Sequence, residues 1–190
     1  MQQQLHYMPR FYLKQKLALT VNRFDVIACN PDGSMGNVIC SAQQKRMALK
    51  EQVTFFADEA RTQPVFSFGA RNIMELNGKY DILDQFGQPL AFFQKDFAAS
   101  FLRSTFHMEG PGYAGTGQER NAAIAIIRRF TDIPFLPIHF DYNDVNGAPL
   151  VQIERQGSVR DKYTVTVPDQ RIDFRVAAAL AVGMDVLMQR

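Results

Sequence analysis

The stretch DFRVAAALAVGMDVLMQR, residues 173 to 190, differs from the rest of the chain and decides its fold. Before Pro168 apolar and polar side chains alternate with a two-residue period, whereas here strong helix formers take over. Asp173 is in the position of an N-cap. The middle of this helix is apolar on every side, which predicts burial all round and not along one stripe. Small residues keep the helix slim at Ala177, Ala178, Ala179, Ala181 and Gly183.

A turn pattern occurs three times ahead of this helix. KYDILDQFGQP at 79–89 and HFDYNDVNGAP at 139–149 share an aromatic residue, two aspartates, a glycine and a proline at the same spacing, and RFDVIACNPDG at 23–33 is a looser copy. Asp84 and Asp144 each precede a glycine by three residues, which is the pattern of a type I turn. A motif repeated in this way is typical of architecture. We therefore interpret these carboxylates as turn and surface residues and not as catalytic ones.

Short strands are predicted between and around the turns. The copies are separated by 56 residues from Phe24 to Tyr80 and by 60 residues from Tyr80 to Phe140, which leaves room for about four short strands in each unit. The segment at 109–120 is rich in glycine and is expected to be a flexible loop. The twelve predicted strands lie at about 9–16, 23–29, 37–44, 51–57, 64–70, 79–84, 89–95, 101–108, 121–129, 135–142, 149–155 and 162–167.

Twelve strands and one slim apolar helix fit a particular architecture. Eight strands close a barrel that side chains fill, whereas a wider barrel leaves a lumen that something must occupy. We therefore predict an all-β fold with one helix, in which a closed antiparallel barrel of about twelve strands surrounds a central hydrophobic C-terminal helix. Residues 1–190 are expected to form one domain, with barrel strands over about 9–167 and the central helix over about 173–189.

These features resemble those of a known family. The stretch FYLKQKL, the repeated Asp-containing hairpins and the final apolar helix look like the LURP-one-related proteins, from approximately Arg10 to Met188. That family belongs with the phospholipid scramblases and the Tubby C-terminal domains in one fold superfamily. The resemblance therefore implies a Tubby-like barrel of twelve strands closed around a C-terminal helix.

The resemblance implies less about function. Scramblases have a proline-rich N-terminal tail, a palmitoylated cysteine cluster and an acidic calcium-binding segment, of which this chain retains only Asp161, Asp169 and Asp173 as echoes. Scramblase-like membrane activity is therefore the least favoured function. Tubby domains bind phosphoinositide headgroups through surface Lys, Arg and Asn side chains, but no local motif of this chain matches theirs.

The overall composition argues against several classes of protein. The formal net charge of +2 is too small to indicate a nucleic-acid partner. Two cysteines without metal-ligand spacing and the absence of a recognisable leader favour a reduced, cytoplasmic location, with association at the membrane limited to its periphery. The longest apolar run, Val176 to Met184, has nine residues, whereas a transmembrane helix needs about 20. Transmembrane insertion is not expected.

No catalytic residue, metal site or cofactor is predicted. His6, His107 and His139 are scattered along the chain, and no serine or cysteine lies in a nucleophile elbow. The glycine-rich segment at 109–120 lacks the Lys-Ser/Thr of a phosphate-binding P-loop. Asp185, inside the apolar helix, is expected to be exposed at a barrel mouth. We therefore expect a protein that is not an enzyme.

Two basic clusters form the candidate binding site. Lys45, Arg46 and Lys50 surround a predicted turn, and Arg128 and Arg129 lie together at a predicted strand end. Each cation near an anionic membrane contributes about 1 kcal/mol of attraction. The leading hypothesis is peripheral binding of anionic phospholipid or phosphoinositide headgroups by these residues. An ordinary solvated surface would show the same clusters. The alternative function is a protein-interaction or regulatory scaffold that uses the outer face of the barrel.

Overall fold

The computed structural model describes residues 6–16, 23–44, 52–71, 78–96, 104–121, 138–156 and 162–188. Over these ranges the chain forms β-strands followed by a C-terminal helix. The elements are β1 (Arg10–Lys16), β2 (Arg23–Cys29), β3 (Met35–Gln44), β4 (Gln52–Phe56), β5 (Pro64–Ala70), β6 (Lys79–Asp84), β7 (Pro89–Asp96), β8 (Thr105–Gly110), β9 (Tyr113–Glu119), β10 (Ile138–Asn143), β11 (Pro149–Gln156), β12 (Lys162–Thr166) and α1 (Phe174–Met188).

The strands form one closed antiparallel sheet. Each strand pairs with the strands before and after it in sequence, and β1 pairs with β12 to close the ring. At this closure Phe11 lies opposite Val165, and Leu13 lies opposite Tyr163. All four side chains are fully buried. The predicted fold, a closed barrel of twelve antiparallel strands with one C-terminal helix, is confirmed.

The helix α1 occupies the lumen of the barrel. It contacts β5, β7 and β12, which lie on different sides of the ring. Every residue from Val176 to Leu187 is buried, as the apolar character of all its faces predicted. A Cβ atom added at Gly183 would lie only 2.5 Å from the ring of Phe93. The helix therefore approaches β7 closely because it has no side chain at this position.

The start of α1 is held by the segment that precedes β1. Asp173 is the N-cap, as predicted, because its Oδ1 accepts a hydrogen bond from the backbone N–H of Arg175 at 2.9 Å. Its Oδ2 accepts another from the N–H of His6 at 3.1 Å. In return, the N–H of Phe174 donates to the carbonyl oxygen of His6 at 2.8 Å. These bonds fix the depth at which the helix enters the lumen.

The repeated turns lie together at one end of the barrel, which we call the turn end. They are Asn30–Gly33, Asp84–Gly87 and Asp144–Gly147, and in each the glycine N–H donates to the carbonyl oxygen of the first residue at 2.9 to 3.1 Å. The three glycines have φ angles of 81°, 78° and 82°. The turns predicted at Asp84 and Asp144 are confirmed, and the looser copy uses an asparagine at the same position.

The glycine-rich segment at 109–120 is not a flexible loop, and this prediction was wrong. It contains the end of β8 and the whole of β9, which are joined by a tight turn. A Cβ atom at Gly117 would lie 2.4 Å from Tyr142, and one at Gly115 would lie 2.4 Å from Leu150. These glycines make room for large lumen-facing side chains of neighbouring strands. The strand predicted at 121–129 falls almost wholly outside the described residues.

The central position of α1 predicts the effect of a charge at Leu180, which is fully buried. We expect Leu180→Asp to prevent folding, because burying an unpaired carboxylate costs several kcal/mol out of a total stability of roughly 5–15 kcal/mol. Leu180→Met, which conserves volume, should cost less than about 1.5 kcal/mol. Thermal unfolding followed by circular dichroism measures both, and a cooperative Leu180→Asp transition at the wild-type midpoint would contradict a central helix.

The turn geometry predicts that Gly147 tolerates asparagine better than valine. A Cβ atom there would meet nothing within 4 Å, so the positive φ of 82° is the only source of strain. We expect Gly147→Val to lower the free energy of unfolding by about 1–3 kcal/mol, and Gly147→Asn to lower it much less, because asparagine adopts left-handed backbone conformations more readily. Equal losses in urea denaturation would show that the backbone angle is not the cause.

Candidate functional site

The five predicted lipid-binding residues, Lys45, Arg46, Lys50, Arg128 and Arg129, all lie outside the described residues. In sequence, the first three fall between β3 and β4, and the other two fall between β9 and β10. In an antiparallel ring β3 and β9 end, and β4 and β10 begin, at the end opposite the turns. We call this the loop end. Their role in binding anionic headgroups stays a prediction.

Four described cations cluster on the outer surface near the loop end. Lys14 lies opposite Lys162 across the β1–β12 ladder, and Lys16 lies opposite Arg23 across the β1–β2 ladder. Among the described residues of β12, β1 and β2, Asp25 is the one carboxylate. We call Lys14, Lys16, Arg23 and Lys162 the basic face. The sequence showed alternating lysines in β1, but it did not show which strands would lie beside them.

A cross-strand ion pair recurs in each unit of four strands. The units are β1–β4, β5–β8 and β9–β12. In each unit an aspartate on the second strand pairs with a cation at or just after the end of the first strand. The cation lies opposite the residue that precedes this aspartate by two positions. These aspartates follow the aromatic residue of the repeated motif, so their recurrence supports the architectural interpretation of the carboxylates. The pairs are Lys16–Asp25, Arg71–Asp81 and Arg120–Asp141, with N–O distances of 2.7, 2.5 and 2.7 Å.

The pair in the third unit shows how little such bonds contribute to stability. The hydrogen bonds from Arg120 to the Asp141 carboxylate raise the pKa of the guanidinium. The Arg120 side chain is nevertheless 46% exposed, and a solvent-exposed ion pair stabilises a protein by only about 0–1 kcal/mol. This pair therefore fixes the geometry of the outer surface more than it stabilises the barrel.

Histidines and cysteines do not combine into a reactive centre. In the part of the chain that the structure describes, no three His, Cys, Asp or Glu side chains are placed to hold a metal ion. His107 lies 3.2 Å from Asp96 and 3.1 Å from Thr116, which accounts for both ring nitrogens. Cys29 and Cys40 are both free. Burial raises the pKa of Cys40 to about 12, so its thiol remains protonated and unreactive near neutral pH.

Asp185 is buried, and the prediction that it would be exposed was wrong. It is 4% exposed and accepts a hydrogen bond from the hydroxyl of Tyr163. Burial and the neighbouring carboxylate raise the pKa of Tyr163, while Arg155 lowers it. Lys95 extends from β7 and donates to the carbonyl oxygen of Leu187 at 2.9 Å. The strands thus enclose the last turn of α1 and provide polar partners for it.

A partly open pocket of about 250 Å³ lies beside the basic face. The Nε atom of Arg23 is buried and has no hydrogen-bond partner. The carboxylate of Asp25 is already occupied, because it accepts from Lys16 and from the hydroxyl of Ser41, each at 2.7 Å. The polar residues that line the pocket are Lys16, Arg23, Asp25, Ser41, Glu59 and Arg61.

The loop between β4 and β5 brings Glu59 and Arg61 to this pocket. Arg61 has a φ of 58°, which is a left-handed conformation that non-glycine residues rarely adopt. The Asp58 carboxylate holds the loop by accepting hydrogen bonds from the backbone N–H groups of Thr62 at 3.0 Å and Gln63 at 2.8 Å. These bonds lower the pKa of Asp58. The strained backbone of Arg61 is therefore fixed by its own loop.

A family comparison supports the resemblance seen in the sequence. A model described as LURP-one-related matches residues 38–185. The chain belongs to the LURP-one-related family. The match begins within β3 and ends within α1, so it includes most of the barrel and the central helix. No curated protein matches the chain. In the described part of this LURP-one-related protein, every helix is too short or too polar to cross a membrane.

The lowered pKa of Asp58 predicts how the loop responds to acid. Hydrogen bonds to the ionised carboxylate stabilise the protein above the unfolded-state pKa, and this contribution is lost as the pH falls through the lower folded-state pKa. The difference in thermal midpoint between wild type and Asp58→Ala should therefore be largest near neutral pH and should shrink below about pH 4. Glu59→Ala is the control for loss of a carboxylate from the same loop. A wild-type advantage over Asp58→Ala that stays constant from pH 3 to 7 would contradict the assignment.

Proposed function

We propose that the protein is a non-enzymatic module that binds anionic phospholipid surfaces peripherally, through the loop end of its barrel. The observation that carries this proposal is the basic face, where Lys14, Lys16, Arg23 and Lys162 extend from three neighbouring strands. Cations near an anionic leaflet attract it by about 1 kcal/mol each, within a Debye length of about 8–10 Å. Asp25 pairs with Lys16, so the attraction comes mainly from Lys14, Arg23 and Lys162, which are sufficient for a weak, reversible association.

The positions of two lysines favour an anionic ligand at the basic face. Lys14 and Lys162 lie directly opposite each other across paired strands, and like charges in this arrangement destabilise a sheet. The Lys162 ammonium lies 4.8 Å from the centroid of the Tyr12 ring, a cation–π contact that offsets part of the repulsion. An anionic surface would neutralise both lysines and remove the remaining repulsion.

The charges of the turn end favour one orientation of the barrel relative to the membrane. Its three repeated turns carry Asp32, Asp84 and Asp144, and the turn segments at 30–34, 84–88 and 144–148 contain no lysine or arginine. A negatively charged membrane would repel this end and attract the opposite one. The proposed orientation therefore has the turn end directed away from the lipid.

The basic residues found in the sequence extend the same proposal. β3 and β4 follow β2 in the ring, and we propose that Lys45, Arg46 and Lys50, which lie between them in sequence, add to the attraction of the basic face. We propose the same role for Arg128 and Arg129, between β9 and β10. Phosphoinositide headgroups, with several phosphates each, are the lipids expected to benefit most.

A second candidate function is favoured by two exposed apolar side chains. Phe86 is 78% exposed and Val145 is 95% exposed, and both lie in repeated turns at the turn end. Apolar residues beside aspartates would suit a protein partner with an apolar and basic surface. This supports the scaffold alternative, in which the turn end and not the loop end is the functional surface.

Co-sedimentation with vesicles tests the leading proposal. Wild type should bind vesicles that contain a phosphoinositide at low salt and bind less at physiological salt. Lys14→Gln/Lys162→Gln should lose about 2 kcal/mol of attraction, or roughly thirtyfold in affinity, and Lys45→Glu/Arg46→Glu/Lys50→Glu should abolish binding. The thermal midpoints should change little, because surface substitutions usually do.

A charge-matched control distinguishes location from total charge. Gln85→Glu/Asn146→Glu lowers the net charge by the same two units as Lys14→Gln/Lys162→Gln, but at the exposed turn end. It should bind vesicles like wild type. Equal binding by wild type and both basic-residue variants, or no binding by wild type at low salt, would reject the lipid proposal and favour the protein scaffold.

A further inference from the structure

We infer that the pocket between the basic face and the β4–β5 loop binds a phosphate group, with Arg23 and Arg61 as its principal contacts. The ligand class is a phosphomonoester, either soluble or carried by a lipid headgroup. This goes beyond peripheral attraction to a membrane, because a defined pocket binds a single group by hydrogen bonds and does not require a charged surface.

Arg23 provides the first part of the argument. Its Nε is buried without an acceptor, although buried polar groups in proteins nearly always have one. The guanidinium is always charged and presents its N–H donors in a planar fork that matches two oxygens of a phosphate. Arg23, which lines the pocket, therefore has donor capacity that the described chain leaves unused and that a phosphate would use.

The residue opposite Arg23 on the neighbouring strand also has a buried polar atom without a partner. Gln43 lies opposite Arg23 across the β2–β3 ladder, and its side-chain oxygen is also buried without a partner. Two neighbouring residues with unsatisfied buried groups are unusual in a native protein, where such groups number only a few per hundred residues. Gln43 does not line the pocket, and its oxygen only accepts hydrogen bonds, so the donors of Arg23 remain the groups that favour an anion.

Arg61 provides the second part. Its backbone is strained, and strain of this kind persists only where the surrounding structure enforces it, as is common at ligand-binding sites. The Asp58 hydrogen bonds to Thr62 and Gln63 supply that enforcement. Among the described residues neither Arg23 nor Arg61 forms an ion pair, so both guanidinium groups are available to a ligand.

Size and charge define the ligand further. The pocket volume of about 250 Å³ is several times the roughly 30 Å³ occupied by a water molecule and lies below the 300–1,000 Å³ typical of sites for drug-sized molecules. A phosphate with a small organic substituent fits this range. Because Asp25 is occupied by Lys16 and Ser41, the remaining charges are two guanidinium groups and the carboxylate of Glu59, which together favour an anion.

Calorimetric titration of the full chain with glycerol 3-phosphate tests the inference. Wild type should show saturable binding, and glycerol alone should show none. Arg23→Gln should weaken binding by about 10–100-fold, the effect of losing a hydrogen bond to a charged group. Gln43→Glu should also weaken it, because the new carboxylate would pair with Arg23. Glu59→Gln should tighten binding several-fold by removing a repulsive charge, which misfolding cannot mimic.

Two further variants separate binding from folding. Arg61→Gly removes the strained side chain from a left-handed position that glycine adopts freely, so its thermal midpoint should equal or exceed that of wild type while phosphate binding falls. Arg10→Gln, an exposed cation at the start of β1, is the matched control and should bind like wild type. No saturable binding by wild type, or equal weakening in Arg10→Gln and Arg23→Gln, would overturn the inference.

Competition identifies the source of the phosphate. If glycerol 3-phosphate displaces the protein from vesicles containing phosphatidylinositol 4-phosphate, the pocket takes a lipid headgroup. Saturable binding without displacement assigns it to a soluble phosphomonoester. Lys14→Gln/Lys162→Gln should retain glycerol 3-phosphate binding, because neither lysine lines the pocket. A loss of vesicle binding and a loss of glycerol 3-phosphate binding are therefore distinguishable results.

Discussion

The burial of α1 inside the barrel is the constraint on which the rest of the structure depends. Twelve strands enclose more space than their own side chains fill, and a helix with small residues at Ala177, Ala178, Ala179 and Gly183 occupies it. Each large apolar side chain buried in this way stabilises the fold by about 1.5–3 kcal/mol. Because the helix occupies the lumen, the binding that we propose is placed on the outer surface.

On that surface, the first two units use equivalent positions differently. Lys79 in the second unit occupies the position of Arg23 in the first, and its ammonium lies 3.3 Å from the centroid of the Phe92 ring. Phe92 lies opposite Asp81, whereas the equivalent residue opposite Asp25 is Ser41. A small residue thus replaces a large aromatic one in the first unit, so Arg23 has no aromatic ring at this position to pack against. The repeat gives both units the same strand arrangement, and the smaller side chain in the first unit leaves room for the pocket.

The sequence was informative where the physical cause is local. The helix follows from its composition, and the turns follow from an aspartate and a glycine at fixed spacing. β9 was missed because its glycines are required by Tyr142 and Leu150, which come from later strands. The burial of Asp185 depends on Tyr163, 22 residues earlier. The pocket was not predictable for the same reason, since it combines three strands and a loop whose register no short pattern encodes.

The closure between the two ends of the described chain has a consequence for how the protein is made. β1 pairs with β12, and His6 bonds to Asp173 across 167 positions of sequence. Contacts between such distant residues form slowly. During synthesis all twelve strands emerge from the ribosome before the helix that covers their apolar faces, so the nascent chain exposes the future lumen to solvent. We therefore expect the barrel to close only after α1 has been translated, and the exposed apolar faces to be prone to aggregation until then.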